Sequence, residues 1–214
     1  MIKHRAFTLI EVIVATMLTG LLTTLALAPV AITVRRVVET QNEYSDMSAL
    51  QRTANFITHD LAAAMRLSSN VLTVVDHEAI GGFADDVLMV MTTSTSAQNI
   101  PPGTVVYKLE EGGMLHGNMP KGLYRWIFPG KLPNIVKYDN LDPQAGQLVM
   151  PGIDEFKIEI PEGSNAEDRR KEYSGSLPQG VYMKLARNSR ERQNFANADR
   201  GNSKNELETI ITFP

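Results

Sequence analysis

From Phe7 to Val34 the only ionisable side chain is Glu11, and this run limits the chain more than any other feature does. It is rich in Leu, Ile, Val and Ala, and it exceeds the roughly 20 residues that a helix needs to cross a bilayer. The pattern predicts a single transmembrane helix over residues 7–34. Lys3, His4 and Arg5 form a basic head before it, which the positive-inside rule keeps in the cytoplasm. Arg35 and Arg36 follow it, so charge alone does not fix the orientation. A cleaved secretory signal has the same outline, and Ala26-Leu27-Ala28 imitates its cleavage pattern. Two residues speak against that reading: Pro29 would stand first after the cut, and Glu11 lies inside what should be an uncharged core. A plain anchor accounts for the length but not for Glu11.

A carboxylate in a membrane span costs up to roughly 3 kcal/mol at the bilayer centre and less near the interface, so it calls for a partner or a function. The residues around it, Arg5-Ala6-Phe7-Thr8-Leu9-Ile10-Glu11, resemble the type IV prepilin processing motif: a basic leader, a small residue, then Phe-Thr-Leu-Ile-Glu opening the apolar helix. The resemblance implies a leader of residues 1–6, cut by a prepilin peptidase between Ala6 and Phe7, with methylation of the new Phe7 amine. It implies that Glu11 attracts the amino terminus of a neighbouring subunit during filament assembly. Ala6 departs from the glycine usual before the cut. Within the span, Pro29 removes a backbone donor and is expected to kink or loosen the helix, and Gly20 weakens it further.

Beyond Arg36 an apolar residue recurs every three or four positions, at Val37, Tyr44, Met47, Leu50, Ala54, Ile57, Leu61 and Met65, with Glu43, Asp46, Gln51, Arg52 and His59 between them. That spacing predicts an amphipathic continuation over residues 35–68, with its stripe turned to a core. A helix from Phe7 to about Arg66 is on the order of 90 Å long at about 1.5 Å per residue. After Ser68 the pattern changes to short β-type runs, at residues 71–75, 87–92, 104–109, 123–128, 156–160, 181–185 and 207–213. Turn signals such as Gly81-Gly82, Pro101-Pro102-Gly103 and Pro151-Gly152 separate them. Phe156-Lys157-Ile158-Glu159-Ile160 alternates as a strand with one wet face does. The fold class expected is α+β, a long N-terminal helix packed on antiparallel sheet, with residues 69–214 forming one β-rich domain. The polar stretches at residues 162–179 and 187–205 read as hairpin tips.

Composition removes several classes of function. With a formal net charge of −3 there is no basic excess to draw nucleic acid, and Arg169-Arg170-Lys171 is too diluted by acids to change that. No cysteine is present, which excludes disulfides and thiolate chemistry. No catalytic or phosphate-binding motif occurs, so the chain reads as no enzyme, with no cofactor. His77 lies between Asp76 and Glu78, but adjacent residues on a strand point to opposite faces. Asp139, Asn140 and Asp142 are read as an Asx-stabilised turn and Trp126 as a core or interface aromatic, so no metal site is assigned.

In its last third the chain is similar, more loosely, to the minor pseudopilin J family of type II secretion. Trp126, Leu132-Pro133, Gly146-Gln147-Leu148-Val149-Met150 before Ile153-Asp154-Glu155-Phe156-Lys157-Ile158, and Leu177-Pro178-Gln179-Gly180-Val181-Tyr182-Met183-Lys184-Leu185 carry that likeness. It implies an inner-membrane protein with one pass and a periplasmic C-terminal domain. The partners it implies are other minor pseudopilins, the prepilin peptidase and the inner-membrane platform of the secretion system. A minor pilin of a type IV pilus or uptake system shares the N-terminal motif and is the first alternative; an anchored periplasmic enzyme or receptor is the second.

Overall fold

The computed structural model describes residues 8–66, 69–78, 82–93, 102–112, 119–139, 141–162, 168–188 and 204–213. The chain divides into two units, Met1–Ser45 and Asp46–Pro214. One helix, α1, runs over Leu9–Ala62 without a break, Pro29 included. Missing its N–H, Pro29 leaves the Leu25 carbonyl without the usual helical donor. The hydroxyls of Thr16, Thr19, Thr23, Thr24 and Thr33 each donate to a backbone carbonyl one turn back. Those polar groups are therefore satisfied inside the helix, as a lipid environment demands.

The buried face of α1 begins later than the periodicity predicts. Leu50, Ala54, Ile57 and Leu61 are buried, whereas Tyr44 is 78% exposed, Met47 41% and Val37 50%. Periodicity places residues on one face but does not say how much of that face is covered. At the other end the helix stops at Ala62, short of Arg66, because the sheet captures the following backbone. Thr93 N–H donates to the Ala63 carbonyl and Met65 N–H to that of Met91, and Ala64 bridges Thr92.

Ten strands follow: β1 (Leu72–Val75), β2 (Val87–Thr92), β3 (Gly103–Glu110), β4 (Gly122–Pro129), β5 (Gln147–Pro151), β6 (Glu155–Pro161), β7 (Arg169–Arg170), β8 (Tyr173–Gly175), β9 (Gly180–Asn188) and β10 (Lys204–Thr212). They form a six-stranded sheet in the order β5-β4-β3-β2-β1-β8 and a four-stranded sheet in the order β10-β9-β6-β7. The α+β class is as expected, and the stretch expected as a tip at 162–179 holds β7 and β8, with β8 paired to β1. Of the second tip, β9 and β10 take up the two ends, and residues 189–203 lie outside the described residues. Leu50, Ile57 and Leu61 of α1 share one core with Val90, Val105 and Leu123 of the first sheet and with Phe156, Ile158, Met183 and Leu185 of the second. Each such buried side chain contributes about 1.5–3 kcal/mol by leaving water. The opposite face of β2, β3 and β4 carries a smaller cluster around Met89, Val106, Tyr124 and Trp126, covered by Val136. There Trp126 Nε1 donates to the Asp142 carbonyl at 2.8 Å. Gly146 lies so close to the indole that a Cβ would stand 2.6 Å from the ring. The Asp142 carboxylate accepts the Gln144 N–H at 3.0 Å, which is the Asx turn read from the sequence.

Two polar joints lie inside this apolar frame. Asp60 of α1 accepts the Tyr107 hydroxyl at 2.6 Å and Arg125 Nε at 2.8 Å on one oxygen, Oδ2, with the Arg125 guanidinium 5.2 Å from the Phe56 ring centre. Asp60, Tyr107 and Arg125 are all buried. Burial, and then the Asp60 charge, push the Tyr107 phenol well above its ordinary value. Among the described residues, Asp60 Oδ1 and both Arg125 Nη atoms have no hydrogen-bond partner. The second joint sews the sheets together along residues 84–86: Phe156 N–H donates to the Ala84 carbonyl, Asp86 N–H to that of Phe156, and Ile158 N–H to the Asp86 carboxylate at 2.6 Å. Beside it Asp85 pairs with His77 Nδ1 at 3.3 Å. Burial pushes the Asp85 and Asp86 carboxyls up to about 6.

Two outcomes are expected from these joints. Removing one partner of a buried ion pair costs about 3–5 kcal/mol, while replacing the whole set by apolar side chains is close to neutral. Arg125→Met alone will thus lower the denaturation midpoint strongly, and Asp60→Leu/Arg125→Met/Tyr107→Phe together will recover most of that loss. A carboxyl raised in the folded state adds stability that is fully present below its unfolded value and is lost as pH rises through about 6. Asp85→Asn removes that penalty, so thermal unfolding will show it more stable than the parent at pH 7, by roughly 2 kcal/mol, and equal to it at pH 4.

Candidate functional site at the head of the helix

The N-terminus of α1 places the one acid of the apolar run beside the one hydroxyl that precedes the helix. Thr8 is the cap residue, Leu9 the first helical residue and Glu11 the third. A helix start leaves four N–H groups without intrahelical acceptors, and Thr or Ser followed three residues later by Glu can satisfy two of them reciprocally. Here Thr8 N–H donates to Glu11 Oε2 at 3.0 Å, and Glu11 N–H donates to Thr8 Oγ1 at 3.3 Å. The Thr8 hydroxyl adds a third bond, to the same Oε2 at 3.0 Å. The carboxylate also faces the positive end of the helix dipole, which favours its charged form.

This geometry gives Glu11 a local role that its reading as a counter-charge had missed. The signal was present in the sequence as Thr-x-x-Glu before an apolar run. Among the described residues no bond falls on Glu11 Oε1, so the cap and an incoming cation do not compete for the same oxygen. Ala6 and Phe7 lie outside the described residues, as do Lys3, His4 and Arg5. Around and after Glu11 the helix is exposed at Leu9, Ile10 and Met17, and onward through Leu21, Leu25 and Val34. An 18-residue window of this helix has a mean hydropathy of 2.0, and none of it is covered by protein. Length and composition suit it to a membrane span.

Elsewhere the polar groups are arranged for packing. Among the described residues no three His, Asp or Glu side chains converge as metal ligands do. His77 and Asp85 form a pair, and Asp86 is turned to backbone N–H groups. The Trp126 indole is buried and held by a carbonyl.

No curated protein sequence and no solved structure matches the chain. Residues 1–27 match the family model described as the prokaryotic N-terminal methylation motif. That prepilin-type signature is structural, not enzymatic; it implies processing by a prepilin peptidase and association with the membrane. Together with the capped apolar helix and the α+β domain that follows it, the motif supports a place for this chain in the type IV pilin superfamily.

Proposed function

We propose that this protein is a minor pseudopilin of a type II secretion system, one of the subunits of a pseudopilus tip complex that primes filament assembly for protein export. The observation that carries this reading is the Thr8–Glu11 cap at the start of an uncovered apolar helix, within the matched motif. In this reading the peptidase cuts between Ala6 and Phe7, and the Phe7 amine is methylated. Glu11, already held by Thr8, offers Oε1 to the amine of a neighbouring minor pseudopilin. Pro29 gives the span a point of compliance where one helical hydrogen bond is lacking. The helix is a single pass in the inner membrane, engaged by the secretion platform, and the domain lies in the periplasm. A subunit at the very tip has no neighbour above it whose amine its acid must meet. Keeping Glu11 therefore puts this chain just below the tip.

Intact-mass analysis of the protein from membranes will give a chain that begins at Phe7 and carries one methyl group; a chain beginning near Pro29 would show a secretory signal instead. Glu11→Ala will spare membrane insertion, since it removes a charge from the span, while reducing co-purification of the other minor subunits and lowering secretion. Thr8→Ala removes the cap but keeps the acid, costing the helix start about 1 kcal/mol, and will weaken co-purification less than Glu11→Ala does. Equal recovery of partners with Glu11→Ala and with the parent, together with normal secretion, would refute the assignment of Glu11 to assembly.

A further inference from the structure

Among the described residues the two sheets end in four edge strands, β5 and β8 on the first and β10 and β7 on the second. An edge presents backbone N–H and C=O groups with which another chain can pair, and proteins blunt such edges by shortness, proline or a bulge. Three of the four are blunted in this way. β7 has two residues and β8 three, while β5 ends in Pro151 and shifts its register against β4. β10 has none of these devices. It runs for nine residues without a proline and pairs with β9 in one unbroken register from Lys204 to Thr212.

The direction of its unpaired groups follows from the end of that ladder. Phe213 N–H donates to the Gln179 carbonyl at 2.9 Å, on the β9 side. Backbone groups alternate along an antiparallel strand. Those of Leu207, Thr209 and Ile211 therefore turn to β9, and those of Glu206, Glu208, Ile210 and Thr212 turn outward, where no described strand pairs with them. The outward positions also carry exposed side chains: Ile210 is 52% exposed, and the glutamates 45% and 49%. Both glutamates reach Lys184, at 3.5 and 3.6 Å, and Glu155 holds the same ammonium at 3.5 Å. One ammonium is thus shared by three carboxylates.

We propose that β10 takes up an extended segment of a different protein as a fifth strand of this sheet. The outward groups set the conformation of that segment, because only an extended backbone matches alternate N–H and C=O groups along an edge. On the exposed face it carries basic side chains two residues apart, opposite Glu206 and Glu208, and an apolar one opposite Ile210. Opposite charges facing each other across two strands stabilise the pairing, and like charges oppose it. The same rule argues against a second copy of this chain. Glu208 is the middle residue of the nine, so two β10 strands paired antiparallel over their whole length would set Glu208 against Glu208. In-register parallel pairing would set each glutamate beside its own counterpart. The inference concerns an edge of the domain and does not depend on the reading of the helix head.

The test uses the full-length protein in detergent micelles with two synthetic nine-residue peptides, matched to the length of β10. One alternates valine with lysine, the other valine with glutamate. Hydrogen exchange is followed by mass spectrometry. The lysine peptide will slow exchange over residues 206–212, leave residues 147–151 unchanged, and bind about fivefold more tightly than the glutamate peptide. Glu206→Lys/Glu208→Lys will reverse that preference. Ile210→Pro removes an outward N–H and no bond of the β9 ladder, and will weaken binding of the lysine peptide about tenfold. If that proline loosens the ladder itself, the charge reversal alone decides. Unchanged exchange over residues 206–212, equal slowing by both peptides, or a preference unmoved by the charge reversal overturns the proposal. Self-association of the chain without peptide that Ile210→Pro abolishes overturns it as well, by making a second copy the occupant.

Discussion

One helix must satisfy its polar groups in two solvents, and most of the structure follows from how it does so. In the apolar half no water is at hand, so each hydroxyl is returned to a carbonyl of the same helix, and the start of the helix is closed by Thr8 and Glu11. In the half that joins the domain Thr53 and Thr58 do the same, but the buried Asp60 is met from outside the helix, by Tyr107 and Arg125. The first solution makes the segment self-sufficient. The second makes the sheet depend on the helix, because a buried arginine in β4 is tolerable only while a carboxylate from α1 faces it.

That dependence explains why the β-rich region is built as it is. The face of β2, β3 and β4 that meets α1 carries Val90, Val105, Tyr107, Leu123 and Arg125, a hydrophobic surface with one polar pair set in it. Burial supplies the larger share of the energy but no register, since an apolar stripe can slide by a turn at little cost. The Asp60 pair fixes which turn is right, because any other position would strand Arg125 without a partner. Buried ion pairs contribute little net stability against apolar isosteres, and their best-attested value lies in this kind of specification. Asp86 does comparable work between the sheets, where its carboxylate takes the Ile158 N–H that a regular ladder would have paired with a carbonyl.

The sequence made the outline legible through periodicity and turn chemistry. Phe156-Lys157-Ile158-Glu159-Ile160 alternates, and Phe156, Ile158 and Ile160 are buried, but the other face is not wet as expected: Glu159 is buried too, held by Lys157 and Arg169. The helix was legible as a helix, but its stripe ran from Val37 to Met65 while its covered face runs only from about Leu50 to Leu61. Spacing is a property of the helix alone, and coverage is a property of what folds against it. β8 escaped notice for a similar reason: Tyr173-Ser174-Gly175 has no strand-like composition and is a strand because β1 leaves an edge for it. Arg125 could have been found. It sits at even spacing between Leu123 and Ile127, so strand parity turns it inward, and an inward arginine demands an acid on the element opposite. Asp60, one residue before Leu61 in the buried stripe, is that acid.

The head of the helix combines both lessons, since Thr8-x-x-Glu11 is a local signal with a reach beyond the monomer. A carboxylate that must wait in a membrane for a partner's amine carries a desolvation cost throughout the wait. Two hydrogen bonds donated by Thr8, from its N–H and its hydroxyl, reach the Glu11 carboxylate without neutralising its charge and hold the side chain against the helix end. Among the described residues both of these bonds fall on Oε2, so the cap leaves Oε1 open to a cation without any cap bond breaking. A glutamine would keep much of the cap and lose the attraction. An aspartate, one methylene shorter, would lack the reach that the box geometry uses. Glutamate at position 11 thus meets the demand of the helix that bears it and, in the proposed reading, that of an approaching amine as well.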